Sequence, residues 1–254
     1  MQLWEQQQIQ TLLPSIAVML VVSIVLRRFL IHKEWKIRMI PFQIVAILIV
    51  LLEIGKQSLS FVDGYDLYHL LFHFCSLVVI MVPVMAFYRG KYQQQVIAIT
   101  ASLLTSVALL MFIYPALIYS GNDVDKYFTS YFAFHTVSFH TISVFAFFLL
   151  IALELYTPVA KAEWKSVMWF IVVFCVISAT MSQLLETNFN NFYSCNVPPL
   201  EEVRISLQGV LGYGLTQLIY VLIVTVLDIL FVQMSYWMIR GIAKLLQRAK
   251  VKKA

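Results

Sequence analysis

Residues 95–119 read QVIAITASLLTSVALLMFIYPALIY, 25 residues without a single Asp, Glu, Lys, Arg or His. A helix needs about 20 predominantly apolar residues to cross the hydrocarbon core of a bilayer. This stretch meets that length, and its buried alternative in water would be much shorter. Six further runs behave in the same way, at about 11–30, 39–58, 68–88, 131–156, 166–187 and 213–239. The pattern predicts an all-α polytopic transmembrane bundle of seven spans, with residues 1–254 as one domain and a short basic tail from about 240.

Composition supports that reading. Of the 254 residues, 61% are hydrophobic and 12% charged, against about 25% charged in a soluble domain. A chain this apolar cannot cover a water-facing surface, so lipid must cover it. The runs are too long for the roughly ten-residue alternating strands of a membrane barrel. The first run is read as a retained span, not a signal peptide, because Arg27 and Arg28 follow it and no small-residue cleavage site is evident. The longest connection, between the sixth and seventh spans, is read as a loop around Pro198 and Pro199.

The net charge of +5 does not point to nucleic acid, because the basic residues follow the positive-inside rule. Arg27, Arg28, Lys33, Lys36, Arg38, Arg89, Lys91, Lys161, Lys165, Arg240, Lys244, Arg248, Lys250, Lys252 and Lys253 are 15 of the 18 Lys and Arg residues, and all fall in alternate connections. The opposite loops hold Lys126 and Arg204. This bias places the N-terminus outside and the C-terminal tail in the cytoplasm of a multi-pass protein of the cell membrane. Three cysteines, Cys75, Cys175 and Cys195, imply no disulfide framework.

Ionisable residues within membrane spans are costly, and each is a candidate for function. Counting from the inner end of each span, Glu53, Cys75 and His140 lie at a common depth of roughly 20 to 24 Å at 1.5 Å per residue. Lys56 is one turn beyond Glu53 on the same face. His135 lies further out, and Gln183 and Glu186 reach a comparable level on the sixth span. A thiol beside an imidazole is a good nucleophile, and a carboxylate can orient the imidazole. Such a layer, opening to the outer leaflet, would meet phospholipid ester carbonyls and transfer acyl groups through a thioester. Cys75 is then the nucleophile, His140 the base, and Glu53 or Glu186 the orienting carboxylate. His73, His135, Lys56, Gln183, Glu186, Asn188 and Asn191 are expected to bind substrate. Membrane phospholipids are the expected partners, with no cofactor and no metal.

Two other classes compete. His69 and His73 have the i, i+4 spacing that places two imidazoles on one helix face, as in an intramembrane zinc-dependent lipid hydrolase. On a helix, however, Cys75 would point about 160° away from His73, so that reading leaves the thiol unexplained. A non-enzymatic transporter is the other class, but no inverted repeat or paired Gly/Pro-broken helices are apparent.

The segment Leu71-Phe72-His73-Phe74-Cys75-Ser76-Leu77 resembles the Pro-apolar-His-apolar-Cys hallmark of YwaF-like and TMEM-type integral membrane proteins, with Leu71 where many members have Pro. Glu53 on the preceding span, Tyr114-Pro115-Ala116, Phe134-His135-Thr136-Val137-Ser138-Phe139-His140, Thr187-Asn188-Phe189-Asn190-Asn191-Phe192 and Gly212-Tyr213 extend the resemblance over about residues 40–225. That family includes an animal ether-phospholipid acyltransferase dependent on a cysteine and a histidine. The resemblance implies a lipid-processing role with Cys75 as nucleophile, and either His135 or His140 as its partner.

Overall fold

The structure, a computed structural model, describes residues 4–159 and 163–251. Lys161, Lys252 and Lys253, which enter the charge pattern, lie outside the described residues. The helices are α1 (Gln6–Leu30), α2 (Trp35–Val62), α3 (Ser76–Phe87), α4 (Gln93–Ile113), α5 (Gly121–Asp125), α6 (Tyr131–Ala152), α7 (Glu163–Leu184), α8 (Pro198–Leu211) and α9 (Tyr213–Val251). Among the described residues six are long and apolar enough to cross a membrane: α1, α2, α4, α6, α7 and α9.

The third expected span differs. Of residues 68–88 only Ser76–Phe87 is α-helical, about 18 Å at 1.5 Å per residue, too short for a core of about 30 Å. Residues 67–75 run as a 3-10 turn, Leu67–His69, followed by irregular chain. Non-helical backbone survives at membrane depth only where protein satisfies its polar groups. Neighbouring side chains do so here. Gln57 Nε2 donates to the His69 carbonyl at 2.8 Å, His73 Nε2 to the Tyr68 carbonyl at 2.9 Å, and Ser178 Oγ on α7 to the Phe72 carbonyl at 2.7 Å.

The connection around Pro198 and Pro199 also differs from expectation. It contains α8, which begins with those two prolines and carries Glu201 in its first turn. Proline is pre-organised for a first helical turn, and an acid there complements the helix dipole. Val203, Ile205 and Val210 of α8 are exposed, and its packing is against α9.

α4 is the central element. Every residue from Ile97 to Ala108 is buried, and α3, α6, α7 and α9 all pack on it. Its small residues allow close approach, as is common between membrane helices. Ser106 Oγ donates to Ser235 Oγ of α9 at 2.8 Å, and Thr100 Oγ1 to the Met81 carbonyl of α3 at 3.1 Å. By contrast α1 buries only Gln8, Leu12 and Ser23 and leaves an apolar face for lipid.

Basic side chains close one end of the bundle. Arg27 pairs with Glu154 at 2.7 Å and donates to the Ala152 carbonyl, and Arg38 donates to the Leu153 carbonyl. These cations sit on the orphaned carbonyls at the end of α6, where a helix favours positive charge. Beside them Glu163 of α7 is buried, paired with Arg240 of α9 at 3.0 Å and hydrogen-bonded by Tyr156 and by Gln94 of α4. This cluster fastens three helices together.

Candidate functional site

Toward the other end, Glu53 on α2 is buried and meets α6. Its Oε1 accepts from Lys56 Nζ at 2.7 Å and Gln57 Nε2 at 2.7 Å, and its Oε2 from His135 Nε2 at 3.1 Å. Lys56 and Gln57 reach it because residues three and four apart share a helix face. The pairing with His135 comes from α2 packing on α6. Tyr131 Oη donates to the Leu52 carbonyl at 3.1 Å, one turn of α6 before His135. The close approach uses Gly55, where a Cβ would collide with that phenol.

The network spreads from Glu53 through Gln57. Tyr65 Oη donates to Gln57 Oε1 at 2.7 Å, and Ser60 Oγ lies 2.7 Å from His69 Nδ1, whose ring stacks on Phe132. His69 and His73 do not share a helix face, because residues 67–75 are not an α-helix. His69 turns to α2, while His73 lies over Tyr68 and against Phe189. Among the described residues, no group of three or more His, Cys, Asp and Glu side chains is placed to hold a metal ion.

His140 is held differently from His135. Five residues along a helix rotate a side chain by about 140° from its predecessor, so the two rings leave α6 in different directions. Nδ1 of His140 lies 2.7 Å from the Thr136 carbonyl, and Nε2 is buried with no hydrogen-bond partner among the described residues. A carbonyl only accepts, so Nδ1 carries the proton and Nε2 presents a lone pair. The ring packs against Phe139 and Tyr119.

Cys75 is the residue immediately before α3, a free thiol partly buried against the core. Among the described residues no hydrogen bond joins it to His140 or Glu53, and Glu53 contacts His135, not His140. Cys75 sits at the N-terminus of α3.

The remaining predicted residues lie at the end of α7. Glu186 is exposed, in a left-handed conformation with φ 49°, and terminates the helix. Among the described residues it makes no hydrogen bond or ion pair. Gln183 Nε2 donates to the Phe192 carbonyl at 2.9 Å. Asn188 Oδ1 accepts from the backbone of Tyr193 and Ser194, and Asn191 Oδ1 accepts from the backbone of Asn196. The two asparagine amides shape the loop itself.

One polar contact joins α7 to α9 with no expectation in the sequence. Cys175, in the middle of α7, has no polar neighbour in sequence, yet its Sγ lies 3.8 Å from Asp228 Oδ2 of α9. Asn190 Nδ2 donates to the same oxygen at 2.6 Å. The one available signal was Asp228 itself, a carboxyl inside an apolar run.

Bundle and buried polar layer together define a polytopic α-helical membrane protein. The chain belongs to the TMEM164 family, which matches residues 3–236. Comparison with curated proteins and with solved structures finds no match.

Proposed function

We propose that this protein is a lipid acyltransferase that works through an acyl-enzyme on Cys75. The observation that carries the reading is His140: an imidazole whose tautomer is fixed by the Thr136 carbonyl and whose Nε2 is buried without a partner. Such a nitrogen is a general base awaiting a proton. In the reaction Nε2 takes the Cys75 proton as Sγ attacks a phospholipid ester carbonyl. The carbon–oxygen ester bond breaks, the departing alkoxide takes the proton from His140, and a thioester remains. An acceptor hydroxyl then gives its proton to Nε2 and attacks the thioester, and the cysteine is restored by proton return. The sulfur–imidazole contact forms with substrate bound, as catalytic hydrogen bonds often tighten only in the complex. Glu53 compensates Lys56 and orients His135, keeping the layer beside His140 polar and fixed.

The same reading places the layer in the outer leaflet half of the cell membrane. Residues 67–75 and α3 together make the third of seven passes, with the N-terminus outside.

The test is transfer of a labelled acyl chain from a diacylphospholipid to a lysophospholipid in vesicles holding the purified protein. His140→Ala should lower the rate by about 10²-fold or more, the usual contribution of a general base. Cys75→Ser should abolish transfer, because a hydroxyl is a weaker nucleophile without stronger activation. Wild-type rates in the His140 variant would refute the assignment.

A further inference from the structure

Away from Cys75, a cavity of about 380 Å³ lies between α8, α9 and the loop after α7. This is the size range of small-molecule sites. α9 contributes Thr216, Tyr220, Val224 and Asp228, a stripe at four-residue spacing extending about 18 Å along the helix. Val203 and Leu207 of α8 form part of the facing wall. The wall is mostly apolar, and its charged members are Arg204 toward α8 and Asp228 on α9.

Asp228 makes no ion pair among the described residues. Both of its hydrogen bonds, from Asn190 and Cys175, fall on Oδ2, which leaves Oδ1 unused. Because Asn190 donates through Nδ2, its amide oxygen is also left as an acceptor. The cation nearest in chemistry, Arg204 on the α8 side, is already engaged by Glu201 and by Gln217 Oε1 at 2.9 Å. One end of the cavity therefore offers acceptors and an uncompensated carboxylate beside hydrocarbon. An unpaired carboxylate in such surroundings is costly. A ligand that brings a positive donor offsets the cost with a charge-assisted hydrogen bond.

We propose that this cavity binds a single-chain hydrophobic amine, with its ammonium on Asp228 and Asn190 and its hydrocarbon chain along the α9 stripe toward Thr216. One helix-long stripe matches one chain. The inference stands apart from the acyl-transfer reading: of the residues assigned there only Asn191 lines this cavity, and the amine-binding argument does not use it.

The test is native mass spectrometry of the full chain in detergent with dodecylamine, dodecanol or sodium dodecanoate. One dodecylammonium should bind, at least about tenfold more tightly than the alcohol, since hydrogen bonds to charged groups are worth more than tenfold in affinity. Asp228→Asn should remove that preference, and Val224→Trp, which fills the cavity and keeps the carboxylate, should weaken amine binding about as much. Dodecanol or dodecanoate binding as tightly as the amine to the unmodified protein would overturn the proposal, whatever the variants do. Equal competition by an ethanolamine phospholipid would reassign the site to a two-chain lipid and overturn the single-chain claim.

Discussion

His135 and His140 lie five residues apart on α6, and their hydrogen-bond partners differ. Glu53 holds His135 through Nε2, whereas His140 is held through Nδ1 by a carbonyl and keeps Nε2 free. The account therefore separates the two on mutation. His135→Ala strips one donor from a buried carboxylate that Lys56 and Gln57 still satisfy, so it should cost stability with partial activity retained. His140→Ala should leave stability closer to wild type and remove most of the rate. Chemical unfolding measured alongside transfer distinguishes them, and the opposite ranking would exchange their roles. Gly55 gives a second residue-scale prediction. A Cβ there would meet the Tyr131 hydroxyl, so Gly55→Ala should destabilise the α2–α6 contact by about 1–3 kcal/mol, the usual cost of overpacking. An unfolding midpoint unchanged from wild type would show that Tyr131 does not fix this contact.

α3 shows what an apolar run alone cannot convey. The stretch 67–77 carries the hydrophobicity of a span, and nothing within it forbids a helix. The break depends on Gln57 and Ser178 donating to its carbonyls from other elements, information that residues 67–77 do not contain. Cys175 and Asp228 are likewise 53 positions apart, and only packing of α7 on α9 brings them together. α8 is the reverse case, because its signals were present: two prolines at the start, Glu201 in the first turn and apolar residues at helical intervals. Loop-like prolines outweighed them in the reading. Two predictions belong to these elements. Ser178→Ala orphans the Phe72 carbonyl and should cost about 1–3 kcal/mol, the penalty for an unsatisfied buried group. Hydrogen exchange should localise the loss to residues 67–75, and a uniform loss across the bundle would contradict it. On α8, Arg204 holds the Glu201 carboxyl below its ordinary range by donating hydrogen bonds to it. A depressed carboxyl stabilises above its unfolded pKa and loses that contribution as pH falls through the folded value. Exchange protection of α8 should therefore be intact at neutral pH and fall only below the usual carboxylate range. Glu201→Gln should show the loss already at neutral pH, and full protection in that variant would contradict the linkage.

At the scale of the molecule, the all-helical architecture and the membrane class were legible, because 61% hydrophobic composition leaves lipid as the only adequate cover. The polar layer was legible in its members Glu53, Lys56 and His135, but their pairing was not: depth counting favoured His140 beside Glu53, whereas helix rotation gives Glu53 to His135. The proposed orientation predicts that a cysteine placed at Asp123 is labelled from outside and one at Lys165 from inside, by a membrane-impermeant reagent. The reverse labelling would invert the topology. The basic end should matter more for assembly than for chemistry. Glu163→Ala breaks the buried ion pair with Arg240, so it should destabilise the bundle by about 3–5 kcal/mol, read as lowered resistance to denaturing detergent. A thioester on Cys75 can be trapped. Purified protein incubated with a phospholipid carrying a labelled acyl chain, without acceptor, is digested and the peptides are weighed. One labelled peptide is expected, acylated at Cys75, released by neutral hydroxylamine and absent in Cys75→Ala. Acyl transfer at the wild-type rate in Cys75→Ala, or a label on any other residue in its place, would contradict it.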